Sequence, residues 1–303
     1  MLEIALYGLG RMGGNMARRL CRGGVRVHAY NRNVAVAEAL AAEEGNARAC
    51  AGLEDMVAGL AAPRIVWLML PAGEATEAAI REVAPLLSPG DLLVDGANGY
   101  YHDAQSRAEH LHGLGLRFVD VGVSGGIWGL SNGYCLMAGG SEDDLARLQP
   151  FLQVLAPTPD SGWLHAGPVG AGHFTKMVHN GIEYGMMQAL AEGFALMQAK
   201  REFDLDIAAV AELWRHSSVV RSWLLDLSAD FLKTDQRLDG IAPVVADSGE
   251  GRWTALESIN LGVPTPVMTL ALMSRFASQG KGDFANRMLA MMRKGFGGHA
   301  VQK

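Results

Sequence analysis

From Leu2 to about Ala138 the chain alternates short apolar or β-branched runs with segments of helical period, and few folds admit that alternation. The runs Leu2 to Tyr7, Val25 to Tyr30, Ile65 to Leu70, Leu92 to Val94, Phe118 to Val121 and Cys135 to Ala138 predict strands. Between them Met12 to Arg22, Val34 to Glu44, Glu74 to Leu87, Asp103 to Gly113 and Glu142 to Val154 predict helices. Repeated strand, helix, strand demands a mainly parallel sheet covered on both faces, a doubly wound α/β domain, expected over residues 1–165. The turn-rich stretch Pro157 to Gly162 ends the alternation. Beyond it the chain reads as helix: a long segment from about Val169 to Ala199, then Ile207 to His216, Ser222 to Lys233, Thr254 to Leu261, Val267 to Ala277 and Phe284 to Arg293. An all-α domain with a long first helix is therefore expected over residues 166–303.

Charge narrows the partners. Lys plus Arg number 26 against 32 Asp plus Glu, a net charge of −6, which provides no general field for nucleic acid or anionic lipid. With 49% hydrophobic residues over 303 positions, each domain can bury a core unaided. The three cysteines, Cys21, Cys50 and Cys135, form no CxxC pair, so neither a disulfide framework nor a zinc site is expected, and they read as small buried hydrophobes. No metal is called for. The start lacks the features of a secretory signal, and no apolar run approaches the roughly 20 residues that span a bilayer, so a cytoplasmic protein is expected.

The first strand runs into Gly8-Leu9-Gly10-Arg11-Met12-Gly13, a GxGxxG that opens a helix. Gly8 allows a sharp turn, Gly10 lets a pyrophosphate approach the backbone, and Gly13 lets helix pack on strand, as in a Rossmann domain holding a nicotinamide dinucleotide. Dinucleotide sites selective for NAD place an acid at the end of the second strand. Here that place reads Asn31-Arg32, a neutral residue followed by a cation that can pair with a 2′-phosphate. NADP is favoured over NAD, although an exposed loop arginine is also commonly just solvated.

The segment Lys176-Met-Val-His179-Asn180-Gly-Ile-Glu183-Tyr184 carries the chemistry. At 100° per residue a helix gathers Lys176, His179, Asn180 and Glu183 into one arc, with Tyr184 at its margin. Lys176 and Glu183 then stand roughly 10.5 Å apart along the axis, suited to flank a small substrate. A solvated polar stripe is the plainer alternative. Two strand ends add candidates: Asn98 in Asp95-Gly-Ala-Asn98, and Asp120-Val-Gly122-Val-Ser124-Gly125-Gly126, a strand running into a glycine loop that reads equally as a carboxylate cradle or as a plain turn. The tail Arg293 to His299, taken unaided, reads as a frayed terminus.

Together these segments resemble the 6-phosphogluconate dehydrogenase family, in its short-chain form, within the β-hydroxyacid dehydrogenase superfamily. The resemblance covers nearly the whole chain and rests most heavily on Ser124-Gly-Gly126 with Lys176 to Tyr184. It implies NADP- or NAD-dependent oxidative decarboxylation of 6-phosphogluconate to ribulose 5-phosphate and CO2. Lys176 would be general base and then acid, and Glu183 the second acid. Asn98, Ser124, Gly125, Gly126, His179 and Asn180 would contact the sugar acid, Asn98 also the cofactor, while Tyr184 and Arg275 would hold its phosphate. Arg293 and His299 match tail residues that complete the partner's pocket in a homodimer. The sequence departs from the family where longer members carry Lys-Gly-Thr-Gly-Lys-Trp-Thr and this chain has Ser248-Gly-Glu250-Gly-Arg252-Trp-Thr254. Two expected phosphate contacts are missing, Glu250 would repel a phosphate if it pointed at one, and Arg252 is a candidate replacement. That change keeps open a second expectation, a dehydrogenase of a small unphosphorylated 3-hydroxy acid of the 3-hydroxyisobutyrate type.

Overall fold

The computed structural model describes residues 1–297 and 300–302. Two compact units divide the chain, Met1–Met177 and Val178 onward.

In the first unit the elements run β1 (Glu3–Tyr7), α1 (Arg11–Arg22), β2 (Arg26–Tyr30), α2 (Val34–Glu43), β3 (Ala47–Ala49), α3 (Leu53–Ala58), β4 (Ile65–Leu68), α4 (Glu74–Val83), β5 (Leu92–Asp95), α5 (Tyr101–Gly113), β6 (Arg117–Ser124), α6 (Gly129–Asn132), β7 (Cys135–Gly139), α7 (Glu142–Leu155) and β8 (Trp163–Gly167). They build one sheet of order β3-β2-β1-β4-β5-β6-β7-β8. Every pairing is parallel except β6 with β7, whose connection is too short for a crossover. Strand residues alternate between two cores: Ile4, Leu6 and Trp67 belong to one, Ala5, Tyr7, Val66 and Leu68 to the other. Helices cover both faces, so these strands read as unbroken apolar runs and not as alternating ones. The order reverses between β1 and β4, and open α/β sheets bind ligands at the carboxyl ends of strands flanking such a reversal.

The expected doubly wound domain is present, with corrections. The alternation does not end at Pro157 to Gly162: Trp163–Gly167 adds an eighth strand, β8, parallel to β7. The turn stretch is only a loop, closed by a bridge between Thr158 and Ser161. Strand β3 and helix α3 also escaped the periodicity, being only 3 and 6 residues long. Pro85 ends α4 early, since the chain tightens there into a 3-10 turn over Ala84–Leu86. Cys21 and Cys50 are buried as expected, but Cys135 is exposed, because it opens β7 at the sheet's end.

Helix α8 (Ala171–Ala199) runs unbroken for 29 residues across the division between the units. The second unit continues with α9 (Ile207–Trp214), α10 (Trp223–Leu232), α11 (Glu250–Asn260), α12 (Pro266–Ser278) and α13 (Asp283–Gly297). Two small cores hold it, Ile207, Ala208, Ala211, Ala229 and Leu232 against Phe194, and Tyr184, Ala271 and Leu272 against Ala255 and Phe276. Helix α11 begins four residues ahead of the expected Thr254, and this brings Glu250 to its first turn. Large apolar side chains on α11 to α13, among them Leu256, Ile259, Leu270, Phe284 and Leu289, stay exposed in the single chain.

Candidate active site

The glycine loop joins β1 to α1 beside the sheet's reversal. Gly8 has φ +102°, and a Cβ there would lie 2.4 Å from the Met69 carbonyl oxygen after β4. At Gly13 a Cβ would lie 2.0 Å from the Gly8 carbonyl oxygen, so α1 packs on the loop with no room for a side chain. Gly10 differs. A Cβ there would meet nothing within 4 Å, and the backbone at this N-cap is ordinary extended chain. The fold does not require a glycine at this point, whereas a pyrophosphate seated on the N-terminus of α1 would. Arg11 and Met12 enter the helix directly behind it. The Asn31 side chain accepts from the Leu9 N–H at 3.1 Å and donates to the Asn33 carbonyl at 3.2 Å, tying the end of β2 to the glycine loop. Arg32 stands exposed, and a hydrogen bond to the Tyr7 hydroxyl raises its pKa above the ordinary value. The residues present therefore fit a dinucleotide.

Asp120 of β6 starts the chemical end of this unit. Its carboxylate accepts from the Gly170 N–H at 2.6 Å and the His173 N–H at 2.7 Å, capping α8. Burial pushes the carboxyl up in pKa, opposed by His173 and these two N–H groups. Two residues on, Gly122 lets the helix touch the strand, and Lys176 is seated there, 8% exposed. Ser124 closes β6, followed by Gly125 and Gly126 at φ +136° and +54°, conformations that side chains resist. Asn98 is exposed in the loop after β5, whose buried Asp95 pairs with Arg107 at 2.6 Å.

In the second unit, α8 carries His179, Asn180, Glu183 and Tyr184. Asn180 is 8% exposed, and its Nδ2 donates to Glu250 Oε1 at 3.1 Å. His179 Nδ1 lies 3.0 Å from Asn180 Oδ1 and 3.9 Å from Glu183 Oε2. The Tyr184 ring is buried, its hydroxyl accepting from the Ser248 N–H at 3.3 Å. Arg275 stacks on that ring at 3.5 Å and donates to the Ala246 carbonyl at 2.7 Å. Arg252 is engaged by Asp247, its Nε 2.8 Å from Oδ1, and this pair holds the Asp247 carboxyl below its ordinary range. Arg293 is exposed on α13, and His299 lies outside the described residues.

Asp120 and Gly122 fall within the candidate run Asp120 to Gly126, but the sequence assigned neither of them a role of its own. A glycine inside a strand was the available signal, since it marks a close approach of another backbone. Among the described residues no group of three or more His, Cys, Asp or Glu could hold a metal ion.

A doubly wound sheet, a dinucleotide-fitting glycine loop at its reversal and a buried lysine on the following long helix define a nicotinamide-dependent oxidoreductase. Residues 3–164 match the NAD binding domain of 6-phosphogluconate dehydrogenase and residues 172–298 its C-terminal domain. A putative 6-phosphogluconate dehydrogenase of Bacillus subtilis is 38% identical over 302 residues, covering 100% of both chains. An NAD(+)-dependent, decarboxylating 6-phosphogluconate dehydrogenase of Haloferax volcanii is 37% identical over 100% of this chain and 99% of its own. The Plasmodium falciparum 6-phosphogluconate dehydrogenase structure superposes with TM-score 0.84 at 28% identity, covering 99% of this chain and 66% of that longer one. The chain belongs to the 6-phosphogluconate dehydrogenase family.

Proposed function

We propose that the protein oxidatively decarboxylates 6-phosphogluconate to ribulose 5-phosphate and CO2, a step of the pentose phosphate pathway. The observation that carries this reading is a lysine seated against Gly122 on the same helix as Glu183, behind a dinucleotide fold. The dinucleotide, when bound, accepts the hydride from C3. Lys176, as the free amine, takes the C3 hydroxyl proton in the same step. The 3-keto acid then loses its C1 carboxyl as CO2, and protonated Lys176 donates to the oxygen on which negative charge develops. Glu183 protonates the carbon left behind while Lys176 takes back the proton of the enediol hydroxyl, giving the ketose. Asn98, Ser124, Gly125, Gly126, His179 and Asn180 orient the sugar acid. Tyr184 and Arg275 bind its phosphate, with Ser248 beside the tyrosine hydroxyl.

NADP is the preferred cofactor in this reading, because Asn31 brings no negative charge and Arg32 is exposed for a 2′-phosphate. The exposed apolar side chains of α11 to α13 support a homodimer in which Arg293 and His299 reach the partner's pocket. No helix among the described residues is long and apolar enough to cross a membrane.

The test is reduced-cofactor absorbance and CO2 release with 6-phosphogluconate and each dinucleotide in turn. Lys176→Ala abolishes oxidation, whereas Glu183→Gln retains hydride transfer better than product formation. Oxidation of 3-hydroxyisobutyrate with no turnover of 6-phosphogluconate overturns the reading.

A further inference from the structure

Glu250 opens α11 and is 1% exposed. Oε1 accepts from Asn180 Nδ2 at 3.1 Å, while Oε2 has no hydrogen-bond partner among the described residues. A buried carboxyl with one oxygen unsatisfied is a poor choice for stability alone, since desolvating it is costly. We infer that Glu250 is a positioning residue that, through Asn180, holds His179 as the Nδ1–H tautomer and so turns the Nε2 lone pair outward as an acceptor. A carboxylate oxygen can only accept, so Asn180 must present its NH2 to Glu250. Its carbonyl oxygen then faces His179 Nδ1 at 3.0 Å, and that nitrogen must carry the hydrogen. Glu183 Oε2, 3.9 Å from the same nitrogen, favours the same proton position. On the reading proposed above, the Nε2 acceptor receives a hydroxyl proton donated by the sugar acid, whereas the Nε2–H tautomer would donate to that hydroxyl and reverse the direction of the hydrogen bond.

The tautomer is read directly, in the ligand-free protein, by long-range 15N–1H correlation of the histidine rings at a pH where the His179 ring is neutral by its own titration. The signal is assigned by its loss in His179→Asn. Wild type is expected to show Nδ1–H, Glu250→Leu to shift the ring toward Nε2–H, and Glu250→Gln, whose amide oxygen still accepts, to restore Nδ1–H. In parallel kcat/KM for 6-phosphogluconate falls about tenfold in Glu250→Leu, the equivalent of about one hydrogen bond to the substrate. An Nε2–H ring in wild type overturns the inference even if Glu250→Leu does not fold, and so does a tautomer that Glu250→Leu leaves unchanged. Failure of wild type to turn over 6-phosphogluconate strikes the proposed reaction instead, and the ring spectra still decide the role of Glu250.

Discussion

A Cβ placed on Gly122 would lie 2.3 Å from the Cβ of Lys176, so β6 and α8 meet backbone against side-chain root where the amine leaves its helix. The Gly172 carbonyl oxygen, 3.0 Å from the same point, closes the other direction. Gly122→Ala must push the helix away, and overpacking of this kind costs about 1–3 kcal/mol. Urea unfolding should show that loss, and kcat should fall at least about tenfold, because a displaced amine no longer meets its proton in line. Unchanged kcat would mean that this contact does not position Lys176.

Gly10 and Gly13 should separate binding from folding. A Cβ at Gly13 would meet the Gly8 carbonyl oxygen at 2.0 Å, whereas one at Gly10 would meet nothing within 4 Å. Gly13→Ala is expected to lower unfolding stability, while Gly10→Ala stays within about 0.5 kcal/mol of wild type. Dinucleotide affinity, measured by calorimetry, should nevertheless drop in Gly10→Ala.

Arg275, stacked at 3.5 Å on Tyr184, is expected to raise KM for 6-phosphogluconate about tenfold or more when changed to Met. Unphosphorylated gluconate lacks the group that Arg275 would bind. Its kcat/KM should therefore change far less, and equal losses for both acids would remove Arg275 from phosphate binding.

Acid should loosen the link between α9 and α10 in a defined window. Hydrogen bonds from Lys233, Arg215 and His216 depress the Glu212 carboxyl from 4.5 to about 2. A depressed acid contributes stability that is present above its unfolded pKa and is lost as pH falls through the folded one. The wild-type advantage over Glu212→Gln in thermal unfolding should therefore shrink between about pH 4.5 and pH 2 and diminish with added salt, because the cluster is exposed.

Much of the sheet was legible because β1, β4 and β5 are buried on both faces, and a doubly buried strand shows as a continuous apolar run. Strand β3 carries an exposed arginine at its centre, Arg48, and β8 carries an exposed leucine, Leu164, so neither announces itself by hydrophobicity. The spacing of Lys176, His179, Asn180 and Glu183 could be read as one helical arc because α8 is regular and long enough for local geometry to hold. Asn31 was read for its missing charge, but its tie to the Leu9 N–H depends on a loop 22 residues away.

The order of residues alone determined the alternating α/β pattern, the glycine loop and the shared helical face, since each follows from backbone periodicity within a few turns. Only the tertiary structure decided that Gly122 seats Lys176, that Asp120 caps the helix bearing it, and that Glu250 turns toward Asn180. Those contacts join residues some 50 to 70 positions apart, and no local rule of period or propensity carries information over such a distance.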